Sequence, residues 1–522
     1  MSLFFLSRVF QLSRDLFWKA GIGDWMDPYF INALLEHWYR SVSSMADPSS
    51  PPMYFPAGHT LGYSHGLILY APFYVALRPF LHPFQAYNLT LFLVIEVGIV
   101  CLYLIFRKFL SLSFIESLLL TAFFFTSENV VNSAAGVWSQ RLSVFLIPPI
   151  LLILLVSTRI SDGWARFTLA GLSGLLASLL FTQDFYSAQF ALFFAVVLSA
   201  PVLLDRRRQV RAAVARFWNE RRPGWLVSLA AGAASGVLVF LWIYLAAYRE
   251  HPAFPDDNLM SALVRRDPSR WNSVLDVARD LGAYDTLRSF KLVVVVALLA
   301  LAPWFKTDFR TRIYSLWFLL ISLAVLAIPL RFNDFSIWRT FVAPLPGFGV
   351  IRDPKRIIYL YELAVVLVLG LLMMRMPRGS AYRICLTLLF VGFLAADRNR
   401  DVFAYARPIH VYDRWVGAPI AVDGSCRSFF MKRASAEYTS RSDNMWTLYN
   451  LDAAFVALNL SIPTLNGYSA WYPTGWDLFN PEEAVYLERV SRWIERHRLT
   501  GVCELDVVAR TMMPATLRRA PE

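Results

Sequence analysis

Charge is scarce in this chain. Asp, Glu, Lys and Arg make up 17% of its 522 residues, against about 25% in soluble domains, so much of its surface lacks the means to face water. Cysteine is nearly absent: four in the whole chain, which excludes a disulfide-dense secreted scaffold. There is no glycine-rich phosphate loop, no serine-centred elbow and no Cys/His spacing suited to zinc. Nucleotide-driven transport, serine hydrolase chemistry and a zinc site therefore lack their usual signatures. Internal repeats of the kind many transporters carry are not visible. Nor is a cleavable leader, since MSLFFLSRVFQLSRDLF scatters Arg8, Arg14 and Asp15 through its apolar stretch.

What the chain has is apolar length. It is 57% hydrophobic, with a mean hydropathy of +0.46. Runs such as LTLFLVIEVGIVCLYLIF and IIYLYELAVVLVLGLLMM are long enough to cross about 30 Å of hydrocarbon at about 1.5 Å per helical residue. Apolar runs predict spans near residues 86–106, 112–127, 140–157, 165–183, 185–204, 225–247, 290–305, 313–330, 357–374 and 383–396, about ten in all.

The net charge of +12 does not point to nucleic acid, because of where it sits. The densest run, RRRQVRAAVARFWNERR from Arg206 to Arg222, is wedged between two apolar segments, as the positive-inside rule expects. Arg107-Lys108, Arg159 to Arg166, Lys306 to Arg312 and Arg375 to Arg383 fall on the same side by parity. All can be cytoplasmic, which puts residues 1–85, 128–139, 248–289, 331–356 and those after about 397 on the other side.

The expected fold is an all-α polytopic membrane domain of about 10–11 transmembrane helices, residues 86–396. An extracytoplasmic segment, 1–85, precedes it, with a weak first crossing at 1–20 as one option, and an extracytoplasmic α/β domain, 397–522, follows it. The tail alternates strand-like runs (SCRSFFM, GVCELDVVA) with helical ones (DAAFVALNL, PEEAVYLERVSRWIERH). Cys426 and Cys503 both lie there, on the side assigned as oxidising, and suggest a disulfide tying the first strand of the tail to its last. The alternative is two buried thiols. Leu61 to Phe80 is apolar enough to pass for a span. It holds Gly62, His65, Gly66, Pro72 and Arg78, however, and is read as an amphipathic element lying along the membrane surface.

Ahead of the first strong span stands GDWMDPYFINALLEHWYRS, starting at Gly23, with two acids in a polar setting. Asp27-Pro28 is a good helix start, and capping alone would account for Asp27. Three further stretches are YFPAGHTLGYSHGLILYAPFY, LPGFGVIRDPKRIIYL and IPTLNGYSAWYP. Together the four resemble the GT-C superfamily of membrane glycosyltransferases, and most closely a group of bacterial glycosyltransferase-like membrane proteins. The resemblance implies a bacterial inner or plasma membrane location and a sugar donor on a polyprenyl phosphate. It also implies transfer of a hexosyl or pentosyl group to an extracytoplasmic lipid, polysaccharide or protein acceptor. In aminoarabinose transferases and protein O-mannosyltransferases, an acid on the first extracytoplasmic loop acts as general base or helps to hold a metal. Asp27 is the residue here that resembles it, with Asp24 as an additional acid.

The residues carry that chemistry on their own terms. Transfer from a lipid phosphate needs a carboxylate to deprotonate the acceptor, and two acids, Asp24 and Asp27, can hold a divalent cation such as Mg or Mn. The phosphate calls for Arg or Lys near the membrane surface. Arg331, Arg339, Arg352, Lys355 and Arg356 are on the same side as the acids, for which interfacial anchoring is the competing role.

His65 and His59 can assist the base or pack as structural histidines. Gln183, Asp184 and Tyr186 fall at an outer span end, where they can line an acceptor cavity or cap a helix, and Glu128 and Gln140 share that ambiguity. Glu96, Glu116, Asp184 and Glu362 are candidates for an internal polar path. Tyr468, Trp471, Tyr472 and Trp476 suit sugar rings and suit packing. The competing functions are a transporter or flippase of lipid-linked sugars and a non-catalytic cell-envelope assembly factor.

Overall fold

Proline and polar caps decide where the apolar runs become helices. In the computed structural model, which describes residues 15–44, 46–125, 139–205, 223–250, 297–298, 301, 304, 309–328, 331–332, 335–345, 348, 351, 356–377, 379–396, 407–432, 434–439 and 445–515, the acid-bearing stretch forms helix α1 (Asp27–Ser44) and a short α2 follows (Ala71–Leu77). Helix α3 (Pro83–Leu104) starts at a capping box. His82 Nδ1 accepts from the Phe84 N–H at 3.2 Å, Gln85 reaches back to the His82 N–H at 3.2 Å, and Pro83 opens the helix.

The chain continues through α4 (Phe114–Phe125), a 3-10 stretch Ser139–Leu146 leading into α5 (Ile147–Arg159), α6 (Gly163–Gln183), α7 (Phe185–Asp205), α8 (Pro223–Glu250), α9 (Phe309–Ala327), α10 (Ile357–Arg375) and α11 (Ala381–Ala396). Each predicted span except 290–305 thus coincides with helix; that one lies almost wholly outside the described residues. Among the described residues four helices, Pro83–Phe109, Ser139–Arg159, Gly163–Gln183 and Gly224–Arg249, are long and apolar enough to cross a membrane, with shorter apolar helices beside them.

Their burial differs. The apolar window of Pro83–Phe109 is 56% buried, while that of Gly224–Arg249 is 11% buried. Val227, Leu238 and Trp242 are exposed on α8, and such a surface is stable against hydrocarbon rather than water. Helices α6 and α8 touch backbone to backbone: a Cβ on Gly232 would stand 1.9 Å from the Gly171 carbonyl oxygen, and one on Gly174 2.1 Å from that of Leu229. Dispersion across such a contact supplies the attraction that a hydrophobic effect cannot supply in lipid. Glu116 serves neither as a free acid nor as a path: Arg383 of α11 pairs with both its oxygens, Nη2–Oε2 at 2.6 Å, and gives its remaining donors to the Met373 and Met376 carbonyls.

The stretch Leu61 to Phe80, expected as one amphipathic element, is not a single helix. It is a 3-10 turn (Thr60–Tyr63), an extended strap and α2, which at seven residues is too short to cross. Leu61, Tyr63, Leu67, Tyr70 and Tyr74 are all buried. The strap's backbone groups find partners on other helices: Gly66 N–H on Thr182 O at 2.8 Å, Leu69 N–H on Gln183 Oε1 at 2.9 Å, and Ser64 O accepting from Tyr244 OH at 2.8 Å. Extended backbone can be buried only when so partnered.

The N-terminal segment and the tail are packed together. Strand β1 (Ala20–Gly21) pairs antiparallel with Arg407–Pro408, and between them in sequence a two-stranded ribbon joins Arg331–Phe332 (β2) to Phe335–Ser336 (β3), making Arg407–Pro408 β4. Tyr29 OH donates to Asp452 Oδ1 at 2.8 Å, and Tyr54 N–H to Asn466 O at 3.0 Å. The tail is α/β. Its sheet, in the order β5 (Ala421–Val422), β8 (Thr511–Pro514), β7 (Val502–Asp506), β6 (Ser428–Met431), mixes parallel and antiparallel pairs, with α12 (Met445–Leu460) and α13 (Tyr486–His497) completing it. Cys426 and Cys503 form a disulfide. It joins the lead-in to β6 with β7, two neighbours in the sheet, rather than the first strand of the tail to its last.

Candidate functional site

The two acids part company at the start of α1. Asp24 Oδ1 accepts the Met26 N–H at 2.9 Å, closing the turn that leads into the helix. Burial pushes the Asp24 carboxyl above its usual range; the Met26 N–H opposes that, the nearby Asp27 charge adds to it and Arg407 opposes it again. Asp27 instead lines a cavity of about 620 Å³. Its Oδ1 accepts a hydrogen bond from the Tyr468 hydroxyl, in the tail, at 2.7 Å. Asp24 thus closes the turn ahead of the helix, and Asp27 faces the cavity.

The cavity lies where several elements converge: the start of α1, the strap through His65, Gln140 in the 3-10 stretch, the start of α7, the C-terminal end of α8, Arg356 just ahead of α10, and the tail loop Tyr468 to Trp471. Of the candidates named from the sequence, Asp27, His65, Gln140, Tyr186, Arg356, Tyr468 and Trp471 meet there. Behind them, Asp184 Oδ1 is 3.7 Å from His65 Nδ1, while its other oxygen caps α7 through Ser187. The His65 and Tyr186 ring centroids are 6.3 Å apart, and the Arg356 guanidinium carbon is 4.5 Å from the Tyr186 ring centroid, a cation–π arrangement that holds the cation at the wall.

Other candidates are placed elsewhere. Asp24 does not line the cavity. Arg352 and Lys355 lie outside the described residues, as does Glu128, and Arg339 falls in the turn Trp338–Val342 with its side chain outside the description. His59 is structural: its Nδ1 is 3.0 Å from Ser49 Oγ, within a turn built around Asp47. The four tail aromatics divide. Tyr468 and Trp471 face the cavity, whereas Tyr472 and Trp476 are buried and stack on each other at 5.2 Å, with Trp476 edge-on to Tyr54 at 4.9 Å.

Arg407 had no signal in the sequence. It is fully buried, its guanidinium carbon 4.8 Å from the Phe84 ring centroid and 5.2 Å from that of Tyr87, and it donates to the Ile22 carbonyl. Burial lowers its pKa from the usual guanidinium value. Its place beside the acid turn follows from the β1–β4 pairing, which no local pattern announces.

A carboxylate, a guanidinium and a histidine thus share one mostly aromatic cavity that opens beside apolar helices. Such a space suits an amphiphile with an anionic head, and a nucleophile with a proton to lose. For a divalent cation, the acids present two carboxylates, one oxygen of Asp24 being committed to Met26. Among the described residues, no group of three or more His, Cys, Asp or Glu side chains gathers to hold a metal.

No protein-family model matches the chain, and no curated protein matches it. Among solved structures it is similar to ArnT from Cupriavidus metallidurans bound to undecaprenyl phosphate, with a TM-score of 0.39 and 12% sequence identity over 88% of this chain and 71% of that one.

Proposed function

We propose that this protein is an integral membrane glycosyltransferase that moves a sugar from a polyprenyl-phosphate carrier to an acceptor hydroxyl on the extracytoplasmic side. The observation that supports it is that Asp27 and Arg356 line one cavity beside the apolar helices. The acceptor hydroxyl gives its proton to the Asp27 carboxylate while its oxygen attacks the anomeric carbon. The bond from that carbon to the phosphate oxygen breaks, and the electron pair leaves with the phosphate. Arg356 neutralises the departing charge, its planar fork matching phosphate oxygens.

His65, backed by Asp184 at 3.7 Å, and Tyr186 orient the reacting groups. Aromatic walls such as Trp471 keep water from competing as acceptor. Of the two acids only Asp27 lines the cavity, so Asp27, without Asp24, would hold a divalent cation there. Its contribution would be to neutralise charge on the leaving phosphate.

The test compares wild type, Asp27→Asn and Asp24→Asn in membranes supplied with radiolabelled polyprenyl-phosphate sugars, following label into acceptor. Asp27→Asn is expected to lose about 10²–10⁴-fold in turnover. Asp24→Asn should stay close to wild type, because Asn caps a turn as well as Asp does. Wild-type turnover by Asp27→Asn overturns the reading; movement of label across the membrane without transfer favours a transporter.

A further inference from the structure

We infer that Tyr468, contributed by the tail, is a positioning residue that holds the Asp27 carboxylate in its working orientation, so that the tail is part of the reaction centre; this rests on the reading of Asp27 as the base. The geometry carries the inference in three steps.

First, Asp27 needs holding. It stands at the first position of α1, followed by Pro28, which has no N–H, while the Tyr29 and Phe30 N–H groups already donate to the Met26 carbonyl at 3.0 Å, so the first turn offers its carboxylate no free donor to rest on. Without a partner from elsewhere in the fold the carboxylate would turn freely about its side-chain torsions. The Tyr468 hydroxyl takes Oδ1 at 2.7 Å and leaves Oδ2 for an acceptor proton. Burial, and then the Asp27 charge, push the Tyr468 phenol well above its usual range, so it stays a donor across any working pH.

Second, Tyr468 is mounted rigidly rather than hung on a mobile lid. Gly467 is pressed against the Tyr54 ring so closely that a Cβ there would stand 2.2 Å from a ring carbon. Asn466, fully buried, accepts the Met431 N–H at 2.7 Å and donates to Asn450 Oδ1 at 3.1 Å. On the other flank, Ser469 Oγ is 2.8 Å from Tyr54 OH. Segments that open carry few such buried contacts.

Third, the ring is registered on the helix it serves. Tyr468 packs edge-on against Phe30 at 5.2 Å, one turn after Asp27 on the same face of α1. The hydrogen bond and the ring contact together fix both the distance and the angle between carboxylate and tail.

The experiment measures kcat and donor KM for wild type, Tyr468→Phe, Asp27→Asn and the double variant, with Tyr472→Phe as a control tyrosine in the same loop that does not line the cavity. The expected result is that Tyr468→Phe, which keeps the ring and removes the hydroxyl, lowers kcat by about 10- to 100-fold, the scale of a misplaced catalytic group. Donor KM should stay unchanged, and the double variant should be no slower than Asp27→Asn alone, as for residues that act as a unit. Equal losses from Tyr468→Phe and Tyr472→Phe, or a further loss in the double variant, reduce Tyr468 to a structural role and overturn the inference. A higher kcat in Tyr468→Phe also overturns it, by making the phenol an occupant of the acceptor's place. If Asp27→Asn is dead and Tyr468→Phe is normal, this inference alone fails. If Asp27→Asn is normal, or wild type transfers nothing from any donor, the proposed function fails and takes this inference with it.

Discussion

The guanidinium carbon of Arg356 sits 4.5 Å from the centre of the Tyr186 ring, on the wall of the cavity that Asp27 lines. Lysine at that position would keep the charge but lose the planar fork and most of the stacking. Arg356→Lys is therefore expected to raise donor KM about tenfold while leaving kcat within a few-fold, and Arg356→Ala to cost more in both. Steady-state kinetics with a fixed acceptor decide it; an unchanged KM in Arg356→Ala would remove Arg356 from the phosphate site.

The buried pair Glu116–Arg383 makes a second case. Both side chains are almost inaccessible and satisfy each other with two hydrogen bonds. Glu116→Gln leaves the guanidinium without its counter-charge, at a cost of about 3–5 kcal/mol. Replacing both by apolar residues of similar size should recover most of that. Thermal unfolding in detergent, followed for the single and double variants, tests whether the penalty belongs to the orphaned charge.

His37 ties stability to pH. It is buried on α1 with Nε2 3.0 Å from the Pro48 carbonyl oxygen. Burial lowers its pKa from 6.5 to about 4, with the Pro48 carbonyl and then Asp47 opposing. The unfolded chain therefore binds a proton that the folded chain refuses, and stability falls as pH drops from about 6.5 toward about 4, by up to about 3 kcal/mol. Above pH 6.5 this residue contributes no slope. The melting temperature of His37→Gln, measured between pH 4 and 8, should fall less on the acid side than that of wild type.

The tail should depend on its disulfide. Cys426 and Cys503 enclose a separation of 77 residues, and removing such a link costs about 2–4 kcal/mol. Reduction, or Cys426→Ala with Cys503→Ala, is expected to lower the melting temperature and to release the tail loop before the membrane helices unfold. Limited proteolysis near Tyr468 under reducing and non-reducing conditions reads this directly.

The helices were legible because run length alone specifies them: nothing else in the chain competes with an apolar stretch such as IIYLYELAVVLVLGLLMM, now α10. The acid pair was legible as a pair, while its division of labour was not. Proline at position 28 marks Asp27 as the helix start, yet nothing local says that Asp24 closes the turn before it while Asp27 turns to Tyr468. The burial of the strap from Ser64 to Tyr70 was not legible, because its partners, Thr182, Gln183 and Tyr244, lie far off in sequence. An apolar run whose backbone is satisfied elsewhere looks the same, letter by letter, as one that satisfies itself. Arg407 lies beyond local reading for the same reason. Of the tail aromatics, Tyr468 and Tyr472 are four residues apart, and only the fold tells the one on Asp27 from the one in the core.

Asp27 and Tyr468 are separated by 441 positions along the chain, and that distance is also an order in time. At about 5–20 residues per second, roughly 20–90 s of synthesis pass between them. A nascent chain can insert helix after helix into the bilayer while the cavity that Asp27 lines still has one side missing. The Tyr468 side arrives only after the apolar helices have been made, so a ribosome that stalls midway leaves the Asp27 cavity without one of its walls.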